Sequence, residues 1–135
     1  MRIFLRLAAG LAALFATGLL AAPAAFYAPT GLRLTALEAT VVQAHGATLM
    51  GLAIATLFSS WASPAAWPPI LAGNLAMQSL SLSVAIWTSW LGAGAAVAPA
   101  FVIHGLLTAA FGLALWRSSH RRGPIPNRTD PPSAD

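Results

Sequence analysis

The chain is 135 residues long, 58% hydrophobic and only 7% charged, where an average globular domain carries roughly 25% charged residues. Between Leu7 and Trp116 the only formal charges are Arg33 and Glu38, a surface too bare for a soluble domain of that length. The net charge of +4 comes without any lysine, and there is no cysteine, which excludes disulfides, thiolate metal sites and cysteine nucleophiles. The arginines flank apolar stretches and form no basic stripe, so the expected partner is a lipid bilayer and not nucleic acid.

Four segments have the roughly 20 apolar residues needed to cross a bilayer core. The first, residues 3–22, ends at Pro23. Residues 1–25 also resemble a secretory signal with a small-x-small stretch at Ala22-Pro23-Ala24, but the apolar run is long for one, and the segment is expected to be retained. Tyr27-Ala28-Pro29-Thr30-Gly31 then reads as a turn. Thr35-Ala36-Leu37-Glu38 is a capping box, in which the threonine hydroxyl and the glutamate satisfy the first N–H groups of a helix beginning near Ala36. Arg33 is left to pair with Glu38 or with a lipid phosphate.

The second helix is expected over residues 36–60 and is stopped by a turn-rich stretch from Trp61 to Pro69. The third runs over 70–91 until Gly92 and Gly94 break it, and the fourth over 96–116. The fold class is therefore all-α, an integral membrane four-helix bundle with up-down antiparallel topology, residues 1–116 forming one transmembrane domain. Six of the seven arginines sit at the two ends, and the positive-inside rule places both termini in the cytoplasm. Trp61, Trp67 and Trp116 are expected at the inner interface and Phe26, Tyr27, Trp87 and Trp90 at the outer one. Residues 117–135 begin with the basic run Arg117, His120, Arg121 and Arg122 and become proline-rich, a composition that does not fold. That tail reads as an orienting anchor, with lipid-headgroup contact as the alternative.

Within the spans, polar side chains are costly unless paired. Asn74, Gln78, Ser81, Ala85 and Thr88 follow 4-3-4-3 spacing and share one face of the third helix, leaving Leu75, Leu82 and Ile86 for lipid. The second helix carries His45 and Thr48 beside a small-residue line, Ala44, Ala47, Gly51 and Ala55. The fourth carries His104 and Thr108 beside Gly105, Ala109 and Gly112. Small residues let helices approach closely, so tight packing among the second, third and fourth helices is expected. At about 1.5 Å per residue, His45, His104, Gln78 and Ser81 fall near one level of the bundle. These four are the candidate ligand-binding residues. One reading of them is interhelical hydrogen bonding that specifies packing. The other is contact with a quinone carbonyl or another apolar ligand, or a proton relay. Haem ligation needs more than one lone histidine pair with no arginines for the propionates, and no metal site is expected. No phosphate loop, zinc-binding His-Glu pattern or serine elbow occurs, so no catalytic residues are assigned and the chain is not expected to be an enzyme.

The chain resembles the small four-helix bacterial membrane proteins of the DoxX-like superfamily. The likeness runs through the arginine-flanked first helix, the Tyr27-Ala28-Pro29 turn and Thr35-Ala36-Leu37-Glu38-Ala39. It continues through His45-Gly46-Ala47-Thr48-Leu49-Met50-Gly51-Leu52, Leu71-Ala72-Gly73-Asn74 and His104-Gly105-Leu106. An arginine that such proteins often carry near the small-residue turn of the second helix is replaced here by Gln43, Ala44 and His45. The resemblance implies a four-helix bundle in the bacterial inner membrane, and some of these proteins are subunits of quinone-linked sulfur oxidation. The combined expectation is a non-catalytic accessory or structural membrane protein that assembles with other membrane subunits. The alternative is a quinone-binding redox partner.

Overall fold

The computed structural model describes residues 1–93 and 97–120. Among them every regular element is helical: α1 (Arg2–Ala21), α2 (Pro23–Tyr27), α3 (Ala36–Ser59), α4 (Trp67–Thr88) and α5 (Ala98–His120), with single helical turns at Ala28–Thr30, Pro64–Ala66 and Ser89–Ala93. Four of these helices are long and apolar enough to cross a membrane. They have 20, 24, 22 and 23 residues, and a rise of about 1.5 Å per residue makes each roughly 30–36 Å long. That matches a hydrocarbon core of about 30 Å.

The boundaries have local causes. Pro23 disfavours helical geometry in the residue before it, and Ala22 sits at φ −149°, ψ 63°. The same proline is well placed as the first residue of α2, a short helix before the expected Tyr27–Gly31 turn, which folds as the single helical turn Ala28–Thr30. Gly31 at φ +78° supplies the left-handed residue that ends the Ala28–Thr30 turn. The capping box of α3 forms in full: Thr35 Oγ1 accepts from the Glu38 backbone N–H, and Glu38 Oε2 accepts from the Thr35 N–H at 2.7 Å. It also accepts from the Thr35 hydroxyl at 2.8 Å, so the carboxylate is occupied by its own cap. α4 begins at Trp67, three residues before the expected start. Pro68 and Pro69 lie in its first turn, where a missing N–H costs nothing. α5 continues past Trp116 to His120, and Gly94 lies outside the described residues.

The four long helices associate as two close antiparallel pairs, α1 with α3 and α4 with α5. In the first pair Gly46 lets the backbones touch, because a Cβ there would lie 2.9 Å from Leu19 Cβ and 3.2 Å from the Ala16 carbonyl. Gln43 Nε2 donates to the Leu20 carbonyl at 3.0 Å, and at the other end Arg6 Nε donates to Ser60 Oγ at 3.3 Å. The pairs then meet through side chains. Leu5 of α1 joins Leu71 of α4 and Phe111 and Ala114 of α5 in a buried cluster, closed by the edge-to-face stack of Phe4 on Phe111 at 5.1 Å.

This arrangement bears out close packing of the third and fourth helices, as α4 and α5, and corrects the expectation that the second packs as tightly against them. The close partner of α3 is α1, and α3 meets α4 mainly through side chains. One such contact is the Asn74 amide nitrogen donating to Thr56 Oγ1 at 3.0 Å, and another is Trp67 Nε1 donating to the Ser59 carbonyl at 3.2 Å. The small-residue line Ala44, Ala47, Gly51 and Ala55 is exposed, and the face of α3 that is buried carries Gly46, Ala53 and Thr56. The choice of face follows from what the partner presents: Ala16 and Leu19 of α1 fit against a glycine. On α4 the polar stripe does turn inward, with Asn74, Gln78 and Ala85 buried and Ser81 and Thr88 half-buried. Leu75, expected in lipid, instead packs against the α1–α4–α5 cluster.

Candidate ligand-binding cavity

Where the two helix pairs face each other, a cavity of about 180 Å³ runs from beside Phe111 toward the α1–α3 connection. α1 lines one wall with Leu11, Ala12 and Phe15, and α5 lines the other with Pro99, Ile103 and Leu107. His45 of α3 and Asn74 and Gln78 of α4 border it, as does His104 of α5. Phe26, Tyr27 and Thr30 border the end nearest the α1–α3 connection. Phe26 is held there by edge-to-face stacks on Phe15 at 5.7 Å and on Tyr27 at 5.6 Å. Its ring occupies the space that a side chain at Gly18 would need, since a Cβ on Gly18 would be 2.5 Å from Phe26 Cδ2. Phe26 and Tyr27 are thus half-buried over the cavity and do not form an outward-facing belt, whereas Trp87 and Trp90 are 62% and 83% exposed.

The polar centre of the cavity is the pair Gln78–His104, whose Oε1 and Nδ1 atoms lie 2.7 Å apart. With the Nδ1–H donating to the amide oxygen, the neutral imidazole keeps its Nε2 lone pair. Neither that nitrogen nor the Gln78 amide nitrogen has a protein partner among the described residues. His45 makes no side-chain hydrogen bond among the described residues and borders the same cavity. Counted from the helix ends on this side, His104, His45 and Gln78 lie about 9, 13 and 15 Å along α5, α3 and α4. Gln78, His104 and the exposed His45, from three helices, border one largely apolar chamber and between them offer N–H donors and ring-nitrogen acceptors.

Three of the four candidate residues come together, and Ser81 does not. It sits one turn beyond Gln78, half-buried, and does not border the cavity, to which α4 contributes Asn74 and Gln78. Asn74 is held rigidly: its amide nitrogen also donates to the Ile70 carbonyl at 2.9 Å. Sequence reasoning placed Asn74 on the correct stripe but left it out of the site, and missed Tyr27 and Thr30. The proline-started α2 is the feature that folds those two residues back over the chamber. Neither Thr48 nor Thr108 bonds another helix among the described residues: Thr48 Oγ1 donates to its own Ala44 carbonyl at 3.1 Å, and the buried Thr108 Oγ1 has no hydrogen-bond partner among them. No group of three or more metal-ligating side chains forms among the described residues. No family model, curated protein or solved structure matches the chain.

Proposed function

We propose that the protein is a small non-catalytic membrane subunit that holds the ring of a lipid-soluble quinone between its two helix pairs. The observation that carries this reading is the Gln78–His104 hydrogen bond inside a largely apolar chamber, with the outer nitrogens of both groups open to a ligand and the exposed His45 ring at its border. A chamber of about 150 Å³ lined by apolar side chains accommodates benzene, so one six-membered ring is the scale of occupant that 180 Å³ suits. Donors from Gln78 and His45 match the carbonyl oxygens of the oxidised ring, and the His104 Nε2 lone pair matches the hydroxyl of the reduced one. A polar group buried in hydrocarbon is stabilised by each partner it gains, which gives such a ligand a reason to leave the open bilayer. The DoxX-like resemblance, with its quinone-linked members, supports the same reading. The excess of arginine at both chain ends supports a bacterial inner-membrane protein with cytoplasmic termini.

The test is retention. Protein purified from membranes is extracted with organic solvent and its quinone content measured by mass spectrometry, alongside titration of the apo-protein with a short-chain quinone followed by tryptophan fluorescence. Wild-type protein is expected to bind, and Gln78→Leu and His104→Ala each to weaken binding about tenfold, the equivalent of one lost hydrogen bond to a buried polar group. Equal binding by wild type and a His45→Ala, His104→Ala double variant overturns the proposal.

A further inference from the structure

At the end of the bundle opposite the cavity, Arg6 is anchored in an unusual way. Its Nε donates to Ser60 Oγ, and Ser60 is fully buried at 0% exposure. Its guanidinium carbon lies 5.8 Å from the centroid of the Trp61 ring, which is braced in turn by an edge-to-face contact with Phe58 at 5.6 Å. Arg2 is one helical turn away on the same face of α1. The single carboxylate among the described side chains, Glu38, is at the far end of α3 and is engaged by Thr35. The arginine is therefore positioned by a buried hydroxyl and an indole, and no carboxylate among the described residues lies beside it.

We infer that Arg6, Ser60 and Trp61 form a binding site for the phosphate of an anionic phospholipid. With Nε committed to Ser60, the two terminal nitrogens of the guanidinium present the planar fork that pairs with two phosphate oxygens. Arg2 adds a second cation within reach of the same headgroup. Trp61 is 56% exposed, and its ring N–H is a donor suited to the headgroup level of a bilayer. Ile3, Leu7 and Phe58, at 74%, 68% and 65% exposure, supply adjacent apolar surface on α1 and α3 for the acyl chains. A lipid seated there bridges the start of α1 and the end of α3, two elements otherwise joined at this end by the Arg6–Ser60 contact.

The experiment is native mass spectrometry of the full chain released from nanodiscs of phosphatidylglycerol or of phosphatidylcholine, with thermal unfolding followed in the same bilayers. Wild type is expected to retain phosphatidylglycerol selectively and to unfold at a higher temperature in its presence. Arg6→Gln is expected to lower retention about tenfold and abolish the thermal shift, and Arg6→Lys to lower retention because lysine keeps the charge without the fork. Ser60→Ala preserves every charge, folds without the Arg6 tether and is expected to lose part of the retention. Arg33→Gln and Arg117→Gln are expected to leave retention unchanged. Equal losses in Arg6→Gln, Arg33→Gln and Arg117→Gln overturn the inference in favour of net charge alone. Displacement of the lipid by millimolar inorganic phosphate overturns it in favour of a soluble anion.

Discussion

Gly46 and Gly51 lie little more than one turn apart on α3, yet only one of them can be replaced. A methyl group at Gly46 meets Leu19 and the Ala16 backbone at 2.9–3.2 Å, whereas nothing lies within 4 Å of the position it would take at Gly51. Gly46→Ala is expected to destabilise the α1–α3 pair by about 1–3 kcal/mol, the usual cost of overpacking. Gly51→Ala is expected to be neutral or stabilising by up to about 1 kcal/mol through helix propensity. Unfolding in mixed micelles with increasing denaturing detergent measures both. At this scale the sequence was only partly readable. Glu38 could be assigned as a cap because a capping box is local, needing residues three apart and nothing else. Which glycine touches a neighbour depends on helix rotation, which composition does not encode; the expected packing line held Gly51, and it is Gly46 that meets α1. The same uncertainty separates Ser81 from Gln78, since both belong to one stripe and only the position of the chamber along α4 distinguishes them.

Among the elements, α2 does the most to shape the site for its size. Five residues begun by Pro23 turn Phe26 and Tyr27 back over the chamber, and Phe26 needs the absence of a side chain at Gly18. Gly18→Leu is expected to push the Phe26 ring aside and speed quinone release severalfold, seen as a faster dissociation phase in the fluorescence titration with little change in helix content. Thr35→Ala removes the cap of α3 and is expected to cost about 1 kcal/mol, localised to the first turn. Amide hydrogen exchange should show faster exchange for residues 37–39 and no change along α4. The long helices themselves were legible because hydrophobic length against bilayer thickness is a coarse and reliable measure. Their ends were less so. Trp67, Pro68 and Pro69 were assigned to a loop because proline breaks helices, but in a first turn its fixed φ favours them. The polar face of α4 was readable from spacing, and its glue role is visible in the Asn74–Thr56 bond, for which Asn74→Leu is expected to cost roughly 0.6 kcal/mol.

For the whole molecule, the pattern of charge supplies a topology that can be checked cleanly, because the chain contains no cysteine. Single cysteines at Ser119 and at Thr30 in spheroplasts should react oppositely with a membrane-impermeant maleimide: Thr30→Cys labelled at once, Ser119→Cys only after permeabilisation. Labelling of both, or the reverse order, would contradict cytoplasmic termini. The sequence could show that four helices are long and apolar enough to cross a membrane but not which neighbours they choose, since apolar surface is equally soluble in lipid on every side. α1 exemplifies this. It could be read as a removable leader, yet Leu5 and Ala16 are fully buried against different neighbours, α4 and α5 in one case and α3 in the other. The union of two tight pairs through a sparse middle has a mechanical consequence. Each pair is stiff, and the seam between them is held by a few side chains at one end, so the bilayer's own lateral pressure helps set how far the other end spreads. Lipids that crowd the acyl region are expected to narrow the chamber and those that relax it to widen it.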